Sequence, residues 1–241
     1  MVGTRSPPPA LKRHCARSPG TLQGVGPRAG SVELLPEGGS ARLTQEWLEA
    51  SKAERLFHAV GAEADWAEEQ VQIAGRRQPV PRLTAWHGDP GISYAYSGIH
   101  HRPKDWTPAL AEVRGLVEAE LGQPFNGVLA NCYRDGHDTV AWHADDETEL
   151  TGACIASVSL GAARRFSLRR ADDHRHRIDV TLEPGSLLVM DAESQRYWRH
   201  SVPRTAEDVG PRINLTFRWL TAYGRPSAPS ASRRSRPSAT S

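Results

Sequence analysis

Nowhere does the chain approach the roughly 18 consecutive apolar residues that a membrane-spanning helix requires, and no apolar h-region follows its first residues. Neither a membrane partner nor secretion is therefore expected; the expected setting is cytoplasmic, with a nuclear or organellar destination left open. Cysteine is scarce and odd in number. Of the three, Cys132 and Cys154 fall in expected strands and Cys15 in a terminal tail, so a disulfide framework is excluded and reduced thiols are the default. No internal repeat is visible, which excludes a solenoid. What remains is the composition of a soluble globular protein, 38% hydrophobic and 24% charged over 241 residues, suited to one well-sized core. A monomer is expected.

Acid is missing from both ends. Residues 1–32 carry Arg5, Lys12, Arg13, Arg17 and Arg28 without an acid, and residues 222–241 carry Arg225, Arg233, Arg234 and Arg236 without one. Between these ends, 21 basic residues face 28 acidic ones, a net charge of −7. Affinity for nucleic acid must then come from local patches or from the ends, because the central domain is not basic overall. Residues 1–30 and 224–241 are rich in Pro, Gly, Ser and Arg and read as a flexible basic arm and a flexible basic tail flanking a domain at 31–223. An Arg- and Ser-containing, acid-poor start also fits an organelle transit peptide, but its prolines and lack of amphipathic period favour a plain arm.

Two helical patterns open the domain. Leu43, Trp47, Leu48, Leu56 and Val60 suggest an amphipathic helix or helix pair between about 41 and 60, and Leu110, Val113, Leu116, Val117 and Leu121 keep a 3.6-residue period over 108–121. Short strands follow near 126–134, 139–145, 154–160, 164–170, 177–182, 186–191, 196–202 and 211–219, separated by turn signals such as Asp135-Gly136 and Pro184-Gly185. Eight strands without helices between them, after N-terminal supporting helices, favour an α+β, mainly β fold: a double-stranded β-helix, or jelly roll, over a parallel α/β sheet.

The chemistry is concentrated in three places. His143 and Asp145, two apart on a strand, share a face and can point at one metal ion. An H-x-D triplet alone is weak, since a surface His beside the acidic run Asp145-Asp146-Glu147 reads equally well as a solvated loop. With His200 at the edge of another strand it makes the 2-His-1-carboxylate set, which leaves positions on Fe(II) for a co-substrate and O₂. The last strand alternates Arg212, Asn214, Thr216 and Arg218 with Ile213, Leu215, Phe217 and Trp219. Such alternation ordinarily means polar side out. If helices absorb the apolar row, however, the polar row lines the barrel, where guanidiniums are costly unless an anion meets them. A dicarboxylate resolves that cost, because Arg forks match carboxylates bidentately. The combination reads as a non-haem iron oxygenase.

On these residues the chain resembles the AlkB family of Fe(II)/2-oxoglutarate-dependent nucleic-acid dealkylases, nearest the DNA-repair branch. The resemblance runs through Asn131-Cys132-Tyr133-Arg134-Asp135-Gly136, Trp142-His143-Ala144-Asp145-Asp146-Glu147, Ile155 to Gly161, Pro184 to Met190, Trp198-Arg199-His200-Ser201 and Pro211 to Arg218. It begins weakly near Pro81 to Trp86 and covers about residues 65–220. It implies that His143, Asp145 and His200 bind Fe(2+). It implies that Arg218 and Asn131 hold the C1 side of 2-oxoglutarate, and that Arg212, Asn214 and Tyr133 surround its distal carboxylate. For substrate it implies stacking of an extruded base on the strand with Tyr94 and Tyr96, Tyr96 foremost, although tyrosines two apart also suit plain sheet packing. It further implies His143 on the opposite face of the base, Glu147 near its exocyclic amine and Arg82 at a phosphate.

The implied activity is oxidative demethylation of 1-methyladenine and 3-methylcytosine in DNA with O2, releasing formaldehyde, succinate and CO2. An RNA- or protein-directed oxygenase, and a non-catalytic nucleic-acid binder on the same barrel, are the alternatives. Basic clusters at Arg76, Arg77 and Arg82, at His101, Arg102 and Lys104, and at Arg164, Arg165, Arg169 and Arg170 are either phosphate contacts or solvated faces. Where duplex-repairing relatives carry an aromatic wedge before a Gly, this chain has Ala74, which favours single-stranded DNA.

Overall fold

A computed structural model describes residues 30–73, 76–92, 94–96, 99–146 and 154–220. In chain order the elements are β1 (Ser31–Glu33), β2 (Ala41–Thr44), α1 (Ala50–Glu63), β3 (Gln70–Ile73), β4 (Arg76–Pro79), β5 (Leu83–Gly88), β6 (Tyr94–Tyr96), β7 (Ile99–His101) and α2 (Pro108–Leu121). They continue with β8 (Gly127–Tyr133), β9 (Val140–His143), β10 (Cys154–Gly161), β11 (Arg164–Arg170), β12 (Arg177–Leu182), β13 (Leu187–Asp191), α3 (Ala192–Tyr197), β14 (Trp198–Val202) and β15 (Arg212–Arg218).

Two antiparallel sheets form the body: a seven-stranded one in the order β1-β2-β13-β10-β15-β8-β5 and a four-stranded one in the order β12-β11-β14-β9. Between them lies an apolar layer that includes Leu43, Phe166, Leu168, Leu188, Met190 and Val202. On its other face the large sheet packs against both long helices, where Leu56 and Val60 of α1 and Leu110, Val113 and Val117 of α2 meet Ile213, Leu215 and Phe217 of β15. That contact absorbs the apolar row of β15 and turns its polar row toward the small sheet. The mainly β jelly-roll expectation therefore holds.

Helix α2 matches its sequence pattern at both ends. Thr107 caps it by accepting the Leu110 amide at 3.3 Å, Pro108 occupies its first turn, and Gly122 ends it with φ +64° while its amide reaches the Glu118 carbonyl. The stretch expected to be helical from residue 41 differs. Ala41–Thr44 is a strand between β1 and β13, and the helix begins only at Ala50. Ala41 and Leu43 are buried alternately with Arg42 and Thr44, a period of two that, over four residues, cannot be told from the start of a helix.

Three other expectations shift. The strand drawn over 139–145 stops at His143, so Asp145 lies beyond the ladder. The strand drawn over 196–202 begins at Trp198, because Asp191 caps the short helix α3 through a 2.7 Å bond from the Ser194 amide. Trp219, placed with the apolar row, falls past the end of β15 and is 38% exposed. Strands β1 and β3 to β5, not drawn from the sequence, extend the large sheet at both edges with β2 and add a hairpin. Cys132 and Cys154 are both free thiols, and burial pushes Cys154 up to about 11, in keeping with inert structural cysteines.

Candidate active site

His143 ends β9 and His200 lies mid-way along β14, directly opposite it in register. Their rings stand 4.2 Å apart between centroids. Asp145 follows two residues after His143, with Oδ1 3.8 Å from His143 Nε2 and Oδ2 3.7 Å from His200 Nε2. One ligand atom from each of the three falls within 4.8 Å of the others, the only such His/Cys/Asp/Glu group among the described residues. His143 Nδ1 lies 2.8 Å from the Ala141 carbonyl. Donation there fixes the tautomer and leaves Nε2 to face the other two residues.

The protonation states suit a metal. Burial and the neighbouring His143 push His200 down to about 3, so its imidazole is neutral and able to ligate. Burial alone would raise the Asp145 carboxyl. The nearby guanidinium of Arg218 overcomes that and holds it below its ordinary value. Arg218 Nη2 donates to Asp145 Oδ1 at 2.6 Å. Two imidazoles and one carboxylate on one face are the donor set of an Fe(II) facial triad, and the residues fit that ion.

These side chains open into a cavity of about 120 Å³ between the sheets, lined also by Arg82, Asn131, Tyr133, Asn214, Thr216 and Arg218. Along β15 the polar row forms a hydrogen-bonded chain: Arg212 Nη2 donates to Asn214 Oδ1 at 3.1 Å, and Asn214 Nδ2 donates to Thr216 Oγ1 at 3.2 Å. Ser157 and Ser159 on neighbouring β10 join it, Ser159 accepting from Arg212 at 2.9 Å. Arg212 is fully buried beside Tyr133, its guanidinium 5.2 Å from the ring centre. Burial pushes its pKa down. Its Nε and Nη1 have no hydrogen-bond partner, and no carboxylate among the described residues is within salt-bridge reach. A buried cation with open donors is what a bound carboxylate would satisfy, so the site also fits a small diacid with its far end at Arg212.

The remaining expected site residues divide. Asn131 Oδ1 accepts from Arg82 Nε at 2.6 Å, which leaves its amide nitrogen as the donor for the cavity. Arg82 is 6% exposed and also donates to the Thr139 carbonyl at 3.3 Å, so it forms part of the cavity wall. The backbone of Tyr94 and Tyr96 lies in β6, paired with His101 and Ile99, and their side chains lie outside the described residues. Glu147, Ala74 and most of both terminal arms also lie outside them.

The basic cluster on β11 is largely committed to the fold. Arg164 is buried and donates to the carbonyls of Asp135, Asp138 and Pro203. Arg169 stacks 4.2 Å over Trp142, and Arg170 pairs with Asp172 and Glu37. Sequence reasoning did not find Gln195, whose Oε1 accepts the Asp145 amide at 3.0 Å. It also passed over Ser157 and Ser159, whose alternation within the apolar run Ile155–Leu160 was a legible sign of a polar inner face.

The model of the 2OG-Fe(II) oxygenase superfamily matches residues 40–218. DNA oxidative demethylase ALKBH2 of Mus musculus is 40% identical over 181 residues, 70% of this chain and 76% of that protein. The chain belongs to the AlkB family of 2OG-Fe(II) oxygenases. Alpha-ketoglutarate-dependent dioxygenase alkB homolog 3 of Homo sapiens is 39% identical over 186 residues, 68% of this chain and 63% of that protein. ALKBH2 of Arabidopsis thaliana is 34% identical over 214 residues, 77% of this chain and 68% of that protein. The solved structure of OsALKBH1 aligns with a TM-score of 0.56 at 16% identity, over 78% of this chain and all of that one, which shows the shared fold. As a member of the family, the chain is an Fe(II)/2-oxoglutarate-dependent dioxygenase that uses O2.

Proposed function

We propose that this dioxygenase demethylates N-methylated bases, 1-methyladenine and 3-methylcytosine, in DNA. The observation that carries the reading is the joining of His143, Asp145 and His200 to a buried polar row ending in Arg218, within a chain about 40% identical to proteins named for DNA oxidative demethylation. Iron, 2-oxoglutarate and O2 supply the oxidising equivalent that turns an N-methyl group into N-hydroxymethyl, with succinate and CO2 as co-products. The hydroxymethyl group then leaves as formaldehyde: the C–N bond breaks with its electron pair left on the ring nitrogen, and the hydroxyl proton goes to solvent, restoring the unsubstituted base.

The chain's own residues bind and orient. His143, Asp145 and His200 hold the metal. Arg218 and Asn131 receive the carboxylate nearer the metal, and Arg212, with Asn214 and Tyr133, receives the far one. The apolar walls contributed by Leu129, Phe166 and Met190 limit water around the reacting centre. Tyr94, Tyr96 and Glu147 are the residues proposed to hold the base, which must leave its stack to reach such an enclosed site.

Within this reading, single-stranded DNA is the preferred form, supported by the small side chain of Ala74 where a wedge would be needed. The protein acts as a monomer, and the basic arms at 1–30 and 224–241 add sequence-independent affinity for phosphates. The test is incubation of the purified protein with Fe(II), 2-oxoglutarate and an oligonucleotide carrying one 3-methylcytosine, scored by mass spectrometry. Loss of 14 Da, the CH₂ by which methylcytosine exceeds cytosine, is the expected result. An unchanged mass, while 2-oxoglutarate is still consumed, would move the substrate elsewhere.

A further inference from the structure

Asp145 sits where the fold gives its backbone no ladder. β9 ends at His143, whose partner on β14 is His200, and the segment 144–146 continues outside any strand. The Asp145 amide is nevertheless satisfied: it donates to Oε1 of Gln195 at 3.0 Å, with both residues buried. Gln195 belongs to α3, the six-residue helix that leads directly into β14 and so to His200. Its own amide nitrogen donates to Ser194 Oγ at 3.2 Å, and Ser194 is tied to Asp191 twice, through its amide to Oδ1 and its hydroxyl to the carbonyl, each at 2.7 Å. Arg199 closes the other end, donating to the carbonyls of Gln195 and Trp198 at 3.1 Å.

We infer that Gln195 is a positioning residue for iron, acting through the backbone of Asp145. The inference rests on the reading that His143, Asp145 and His200 are the metal ligands. One side chain thereby couples the segment carrying the carboxylate to the strand carrying His200. The need for it follows from Arg218, which draws Asp145 Oδ1 to 2.6 Å. The two carboxylate oxygens have different tasks, Oδ1 toward Arg218 and Oδ2 toward His200 at 3.7 Å. Only a fixed backbone keeps the second oxygen facing His200 while the first, 3.8 Å from His143 Nε2, is held by a cation. Without the acceptor, the Asp145 amide becomes a buried donor lacking a partner. The strap then relaxes to satisfy it, and the carboxylate follows Arg218 away from the metal position.

The experiment titrates metal-free wild-type protein and its variants with Co(II), following visible absorption and heat of binding, with no turnover required. Gln195→Met keeps the length of the side chain without an acceptor. Gln195→Asn keeps the amide one methylene short, and Gln195→Glu keeps an acceptor at full reach. The expected result is a Co(II) affinity reduced about tenfold or more in the Met and Asn variants, the usual range for groups that orient a metal ligand, and restored to within a few-fold of wild type by Glu. Met and Asn variants with wild-type affinity would overturn the proposal. So would a Glu variant as weak as Met, because the loss would then come from packing and not from the acceptor. If the Met variant does not fold, the Asn and Glu pair decides alone. Wild-type protein whose Co(II) binding is unaffected by Asp145→Ala would overturn the underlying ligand assignment, an outcome distinct from either of these.

Discussion

Arg218 and Asp145 are joined by a 2.6 Å charge-assisted hydrogen bond, with 2% and 6% of their side chains exposed. The metal ligand is thus kept ionised by the same cation that is proposed to receive the co-substrate carboxylate. On that proposal, iron binding and co-substrate binding converge on one guanidinium. Replacing Arg218 with Ala should weaken 2-oxoglutarate binding by about 2–5 kcal/mol, the cost of truncating one partner of a buried charged pair. Lys should restore only part, lacking the planar fork. Calorimetric titration of the iron-loaded or Mn(II)-loaded protein measures this, and equal curves for wild type and Arg218→Ala would remove Arg218 from the site.

Arg212 makes a separate prediction because it is buried with two nitrogens unpartnered. On the proposed reading, the far carboxylate of the diacid supplies the partner those nitrogens lack. 2-Oxoglutarate should raise the melting temperature of wild type clearly more than that of Arg212→Met, while a monocarboxylate 2-oxo acid should stabilise the two proteins alike. A diacid that stabilised both equally would place its far carboxylate elsewhere.

The depressed His200 pKa predicts a pH dependence with a definite sign. In the unfolded chain this histidine takes up a proton near its ordinary value of 6.5; in the metal-free native protein it resists until about 3. The unfolded state then binds more protons below about 6.5, so the stability His200 contributes is full above that pH and is lost as pH falls toward 3. At about 1.4 kcal/mol per pH unit, roughly 2 kcal/mol should disappear between pH 7 and pH 5. Denaturant unfolding of metal-free wild type and His200→Gln at the two pH values tests it. Parallel losses in the two proteins would show that His200 does not titrate this way.

Strand preference is tested at Ala74. A methylated base should be repaired with higher kcat/KM in single-stranded DNA than in duplex, and Ala74→Phe should narrow the difference by helping to hold the gap left by the flipped base. The comparison uses matched oligonucleotides at one salt concentration, since phosphate contacts make affinity depend steeply on salt. A duplex preference in the wild type would contradict the reading.

What the sequence revealed and what it hid follow from the range of the interactions involved. β15 was legible because alternation is local and Arg212, Asn214, Thr216 and Arg218 are strange residues to repeat on one face. α2 was legible because Leu110, Val113, Leu116, Val117 and Leu121 keep a full 3.6-residue period. Ala41 to Leu48 misled because four alternating residues and a following turn imitate a helical spacing. The burial of Arg82 was not legible because nothing in its neighbourhood tells of Asn131, 49 residues away. Gln195 was invisible for the same reason: its bond to Asp145 spans 50 residues, and a lone Gln between Ser194 and Arg196 has no pattern. The metal ligands themselves were legible as residue types, but Asp145 stands with the histidines through long-range support and not through strand alternation alone.

The central claim is that one iron site, held by His143, Asp145 and His200, converts N-methyl groups on DNA to formaldehyde at the expense of 2-oxoglutarate. Its most direct measurement is the stoichiometry of products on a 3-methylcytosine oligonucleotide, made with wild type and with Asp145→Ala. The account predicts formaldehyde, succinate and restored cytosine in equal amounts from the wild type, and none of the three coupled products from the variant. Formaldehyde and restored cytosine formed at comparable rates by Asp145→Ala, or by wild type with all metal chelated, would contradict it.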